Sequence, residues 1–128
     1  MLGQQRTPCA LVVDDTPAVR AFVSEALRTL GYEVHTAAGA NEALELMART
    51  QFKVVLCDLR LSEVRGTELV EKLRRLDPEL AVIILTGVSS DDHDVRRLRD
   101  SGIAVLHKPV QLAQLHTTVA EVLRNLSP

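Results

Sequence analysis

Short apolar runs alternate with amphipathic stretches along the whole chain. Cys9-Ala10-Leu11-Val12-Val13 is continuously apolar, the pattern of a strand covered on both faces. Asp14-Asp15 end it. Thr16-Pro17 then open a helix, with Thr16 as N-cap and Pro17 at the first helical position. Val19, Val23, Ala26, Leu27 and Leu30 supply its stripe and Gly31 its C-terminal cap. Tyr32 to Thr36 reads as a second strand, and Ala40, Ala43, Leu44, Met47 and Ala48 mark a second helix. Lys53 to Cys57 is a third strand that runs into Asp58. Gly66-Thr67 lead into a third helix bearing Leu69, Val70, Leu73 and Leu76, which Asp77-Pro78 break. Leu80 to Leu85, the most apolar run, ends at Thr86-Gly87. A weakly amphipathic fourth helix is expected from about Ser90 to Asp100. It offers Val95 and Leu98 to a core, with Asp91, Asp92 and Asp94 at its N-terminal end, where the helix dipole favours them. Ile103 to Leu106 is a fifth strand, followed by His107-Lys108-Pro109. Leu112, Leu115, Val119, Val122, Leu123 and Leu126 give the last helix its spacing.

Five strand–helix units imply a parallel sheet with helices on both faces. Right-handed crossovers narrow this to a doubly wound α/β fold. No repeat or linker divides residues 1–128, so a single domain is expected. Hydrophobic residues at 46% and charged ones at 25% suit a folded globular chain. The net charge of −2 leaves no basic surplus for nucleic acid. The aromatics are few (Phe22, Tyr32 and Phe52), which argues against a base-stacking surface or a flavin pocket. Cys9 and Cys57 lie in strand-like runs and read as small buried hydrophobes in a reducing compartment. The four histidines show no metal-type spacing with them. No secretory leader or membrane-length run is seen, so a cytoplasmic setting is expected.

In such a sheet ligands bind beyond the carboxyl ends of the strands. Asp14 and Asp15 stand at the end of the first strand, Asp58 at the third, Thr86 at the fourth and Lys108 just past the fifth. Converging carboxylates repel: at about 4 Å two like charges cost roughly 4 kcal/mol at an effective dielectric near 20. A hard dication, Mg²⁺ (or Mn²⁺), supplies the counter-charge. Lys108 adds an ammonium and Thr86 a hydroxyl, and the set suits a phosphoryl group. One carboxylate can then act as nucleophile.

These pieces resemble the receiver domain of two-component response regulators. The matching segments are Leu11-Val12-Val13-Asp14-Asp15, Val55-Leu56-Cys57-Asp58, Gly66, Ile84-Leu85-Thr86-Gly87 and Lys108-Pro109. The resemblance implies a flavodoxin-like (CheY-like) five-stranded sheet of order 2-1-3-4-5 with five helices. It implies that Asp58 accepts a phosphoryl group from a sensor histidine kinase or histidine phosphotransfer domain. Asp15 would bind the metal directly, Asp14 through water, and the backbone carbonyl of Arg60 would complete the set with Asp58. Thr86 would follow the phosphoryl group, Lys108 would pair with its oxygen, and the Lys108-Pro109 bond would be cis. Such a domain assists its own phosphorylation and dephosphorylation but turns over no separate substrate. Its fourth helix, fifth strand and fifth helix would meet a downstream protein or a second copy, with no nucleic acid or membrane bound directly.

The chain departs from the family pattern in places. The family's Met-Pro-x-x-Asp-Gly stretch reads Leu61-Ser62-Glu63-Val64-Arg65-Gly66, and the usual aromatic three residues before the lysine is Val105. Arg60 and Val88 occupy positions that flank the path of attacking water in the family. His107 points away from its neighbour's face by strand alternation, toward a structural or partner-contact role. A degenerate receiver that only mediates contacts would lack one of the key residues, and all are present. No output domain follows the last helix, so the expectation is either a stand-alone regulator or a receiver excised from a hybrid histidine kinase, serving as phosphorelay or phosphate sink. Rossmann and P-loop glycine motifs are absent.

Overall fold

Each apolar run forms a strand and each amphipathic stretch a helix: β1 (Cys9–Val13), α1 (Pro17–Thr29), β2 (Glu33–Ala37), α2 (Ala40–Arg49), β3 (Val54–Asp58), α3 (Gly66–Leu76), β4 (Ala81–Thr86), α4 (His93–Asp100), β5 (Ala104–His107) and α5 (Leu112–Leu126). The structure, a computed structural model, describes residues 7–61, 64–89 and 91–126. The expected shape of the loop at Ser62-Glu63 lies outside these, and the fourth helix, expected from about Ser90, begins instead at His93, where Asp92 supplies its N-cap. All strands are parallel, in the order β2-β1-β3-β4-β5.

The sheet separates two apolar layers. On one side Leu11, Val13, Val55, Cys57, Val82 and Ile84 meet Ala43 of α2, Leu69 and Leu73 of α3, and Val95 and Leu98 of α4. On the other side Val12, Leu56, Ile83 and Leu85 meet Val23 and Leu27 of α1 and Leu115 and Val119 of α5. Every residue of β3 and β4 is buried. Fully burying one such aliphatic side chain contributes about 1.5–3 kcal/mol, so the central strands anchor the fold. No helix among the described residues is long and apolar enough to cross a membrane.

Element ends differ from the sequence pattern in instructive ways. β2 to β5 each begin one residue later than their apolar runs and end one later, taking in Ala37, Asp58, Thr86 and His107. Backbone pairing continues through these residues, as in Asp58 level with Leu85 and Thr86 level with His107. The ladder needs only N–H and C=O groups and is indifferent to side-chain polarity. Thr16 is the N-cap of α1 but makes no side-chain cap. The Asp14 carboxylate accepts from Thr16 N–H instead, at 2.9 Å. Asp92 caps α4 by accepting from Asp94 N–H at 2.9 Å, so Asp91 and Asp92 precede that helix and Asp94 lies in its first turn. Gly31, just past α1, has φ +96°, a left-handed conformation that suits glycine.

Candidate functional site

β1 and β3 lie side by side with Val13 level with Cys57. The next residues, Asp14 and Asp58, therefore leave adjacent strands together, at the point where strand order reverses. Asp14 is fully buried and Asp58 6% exposed, while Asp15 is exposed. Carboxylate oxygens of Asp14, Asp15 and Asp58 all lie within 4.8 Å of one another. Lys108 projects its ammonium between two of them, 2.9 Å from Asp14 Oδ2 and 3.3 Å from Asp58 Oδ2. The Lys108 N–H donates to Thr86 O at 2.7 Å, fixing the start of the loop after β5, and the Lys108-Pro109 peptide is cis.

The second oxygen of each paired carboxylate is also held. Asp14 Oδ1 accepts from Thr16 N–H, and Asp58 Oδ1 accepts from Arg60 N–H at 3.1 Å. Arg20 donates to the Asp14 carbonyl at 2.7 Å. Burial pushes the Asp58 carboxyl above its ordinary value, and the Asp14 charge adds to this. The Arg60 N–H and the Lys108 ammonium pull the other way without cancelling it. Burial would lower Lys108, but the pairs with Asp14 and Asp58 outweigh it and hold the ammonium above its usual value. Beneath the pocket, burial pushes the Cys57 thiol far up, helped by the charges of Asp58 and Asp14. That leaves an inert thiol.

Asp14, Asp15, Asp58 and Lys108 are thus brought together as the spacing anticipates. Thr86 stands one residue beyond Leu85, the register partner of Asp58. Its buried hydroxyl accepts from Val88 N–H at 3.0 Å. Arg60 meets Asp58 through its N–H, and its guanidinium turns toward Asp92, 3.9 Å away at the N-cap of α4. Val88 and Val105 are half-buried against the layer shared with α4. His107 hydrogen-bonds the Val88 carbonyl at 3.1 Å and Arg99 at 3.0 Å, a structural role.

Gly66 explains how the loop after Asp58 closes. Its N–H donates to Leu59 O at 2.7 Å. A Cβ there would sit 2.5 Å from the Asp58 carbonyl. One grouping escaped sequence reasoning, which finds no Cys/His cluster of metal type. Cys9 Sγ, a Glu33 carboxylate oxygen and a His35 ring nitrogen also lie within 4.8 Å of one another. Only strand register brings them together, although the alternation of Glu33 and His35 was a partial signal. Both cysteines are free thiols, but Cys9 is only partly buried.

The carboxylate triad is an all-oxygen donor set with surplus negative charge, which fits a hard dication such as Mg²⁺. Comparison with known proteins agrees with this architecture. The model of the response regulator receiver domain matches residues 10–120. Sensor kinase CckA of Brucella abortus is 36% identical over 115 residues, which cover 88% of this chain and 12% of that protein. A CheY-like response regulator receiver domain protein from Methanospirillum hungatei superposes with a TM-score of 0.85 at 31% identity, covering 94% of this chain and 97% of that one. The response regulator TrrA from Thermotoga maritima, in complex with Mg(2+)-BeF, gives a TM-score of 0.79 at 27% identity, covering 90% of this chain and 98% of that one. The chain spans about a quarter of the length of the first curated full-length relatives it matches, whose covered shares are 26% and 27%.

Proposed function

Because the chain belongs to the response regulator receiver domain family of two-component signalling, we propose that it is a phosphorylation-controlled switch with Asp58 as phosphoacceptor. The observation that carries this reading is the Lys108 ammonium, 2.9 Å and 3.3 Å from two carboxylates of a three-carboxylate cluster. A structural ion pair needs one acid. Here three carboxylates share one ammonium.

The donor is a phosphohistidine of a sensor kinase or phosphotransfer domain. An Asp58 carboxylate oxygen attacks phosphorus, the P–N bond breaks, its electron pair stays with the partner's imidazole, and an acyl phosphate forms. Arg60 N–H and Lys108 hold the Asp58 carboxylate in the charged form that attacks, against the burial that opposes it. Lys108 then pairs with a phosphoryl oxygen, and the Thr86 hydroxyl, released from Val88 N–H, donates to another. Asp14, Asp15, Asp58 and the Arg60 carbonyl would hold Mg²⁺ (or Mn²⁺), which neutralises phosphoryl charge when bound. The Thermotoga maritima relative, in complex with Mg(2+)-BeF, supports that pairing of dication and anion. The switch turns over no separate substrate, and the cytoplasm is its proposed compartment.

The output side of the proposal is the face of α4, β5 and α5, met by a downstream protein or a second copy. A setting within a hybrid kinase, where the domain relays or drains phosphate, is a second reading carried by the likeness to sensor kinase CckA, beside likenesses to response regulators such as PilR. The test is direct. With Mg²⁺ and a small-molecule phosphodonor, intact-mass measurement should find one added phosphoryl group on the wild type and none on Asp58→Asn. A phosphoryl group on Asp58→Asn, or none on the wild type, overturns the assignment.

A further inference from the structure

The opposite rim of the sheet carries a second donor cluster of different chemistry. Cys9 opens β1 and Glu33 opens β2, and the register sets them level. His35 lies two residues along β2, on the same face as Glu33. Cys9 Sγ is 3.7 Å from Glu33 Oε2, and His35 Nε2 is 2.8 Å from the same oxygen. The His35 ring stands edge-on to Phe52, with centroids 5.5 Å apart and planes at 79°, which fixes the ring's plane. The Glu33 side chain is 59% exposed, so the cluster opens to solvent.

We propose that Cys9, Glu33 and His35 form a binding site for a borderline-soft transition-metal dication of the Zn²⁺ type. A thiolate, an imidazole and a carboxylate are the three donor types that Zn²⁺ selects, and three protein ligands with an open fourth position make a recognised arrangement. The hard ions suited to the aspartate pocket prefer oxygen alone. Cation sorting between the two rims is therefore built into the donors. On binding, the Cys9 S–H proton leaves to solvent and a sulfur–metal bond replaces it, while the proton that His35 Nε2 donates to Glu33 moves to Nδ1 so that Nε2 can ligate. The three ligands come from two neighbouring strands, so the ion ties β2, an edge strand, to β1. Metal supply is thereby coupled to the stability of that edge.

Co²⁺, which reports its ligands optically, tests the site. Titrated into reduced, metal-free full chain, it should produce a thiolate-to-cobalt charge-transfer band that saturates at one equivalent and disappears when Zn²⁺ is added. The band should be lost in Cys9→Ser and in His35→Ala and retained in Asp58→Asn. Circular dichroism confirms that each variant is folded. A wild type without the band overturns the proposal, and so does a band that survives Cys9→Ser or His35→Ala. Because Asp58 supplies no ligand here, failure of this test leaves the phosphoacceptor reading untouched, and the reverse also holds.

Discussion

Replacing Asp15 by Asn should stabilise the metal-free protein. Asp15 shares a cluster with Asp14 and Asp58 in which carboxylate oxygens lie within 4.8 Å of one another. Two unit charges at that distance repel by about 3.5 kcal/mol at an effective dielectric of 20, and by about 0.9 kcal/mol in bulk water. Asp15 is exposed, so the smaller figure weighs more heavily. Lys108 pairs with Asp14 and Asp58, so removing the third charge sacrifices neither of those pairs. Asn matches Asp in volume and leaves packing alone. Attraction to the Lys108 ammonium offsets part of the two repulsions, so the net gain expected is about 0.5–1 kcal/mol, a rise in melting temperature of roughly 2–5 °C for a domain of this size. Adding Mg²⁺ should reverse the comparison. The wild type gains stability by mass action, and the variant, short of one ligand, gains much less. Thermal melts of both proteins in chelator and in Mg²⁺ measure all four states. An Asp15→Asn protein that melts below wild type in chelator, or that gains as much from Mg²⁺, would refute the electrostatic account of the pocket.

Other outcomes follow from the same geometry. Asp58 binds its proton more tightly folded than unfolded, because burial and Asp14 raise it above 3.8. Its contribution to stability is complete below the ordinary carboxylate value and is lost as pH climbs through the raised folded value. Melting curves without metal should therefore show Asp58→Asn gaining on wild type as pH rises above about 4, and parallel curves would contradict this. Gly66→Ala drives a methyl against the backbone of Asp58 and Leu59. A loss of about 1–3 kcal/mol in urea unfolding is expected. His107→Ala removes the bonds to Val88 and Arg99. It should cost about 1 kcal/mol and speed amide exchange across residues 88–100 while leaving β3 unchanged.

The carboxylate pocket was legible because parallel topology sends every strand's carboxyl end to one rim, so Asp14, Asp15, Asp58 and Lys108 could be assembled from the ends of apolar runs alone. The division of labour within it was not. That the Asp14 carboxylate accepts from Thr16 N–H, while the Thr16 side chain caps nothing, depends on side-chain rotamers. That Arg60 touches Asp58 through its N–H depends on how the loop folds back to Gly66. Strand ends slipped by a residue because hydropathy reports burial, whereas the ladder reports hydrogen bonds. Cys9 and His35 are separated by a helix and a turn, and only their strands' register joins them.

The burial of β3 and β4 has a mechanical corollary. Asp58 and Thr86 are mounted on the two fully buried strands, hemmed in above and below by close-packed side chains. Charge deposited there cannot be relieved by the strands sliding. On the proposed function, the added charge would be felt at the short helix α4, whose buried side chains are Val95 and Leu98. A fully buried seat beside a helix with few buried side chains would convert a local electrostatic event into motion at the periphery.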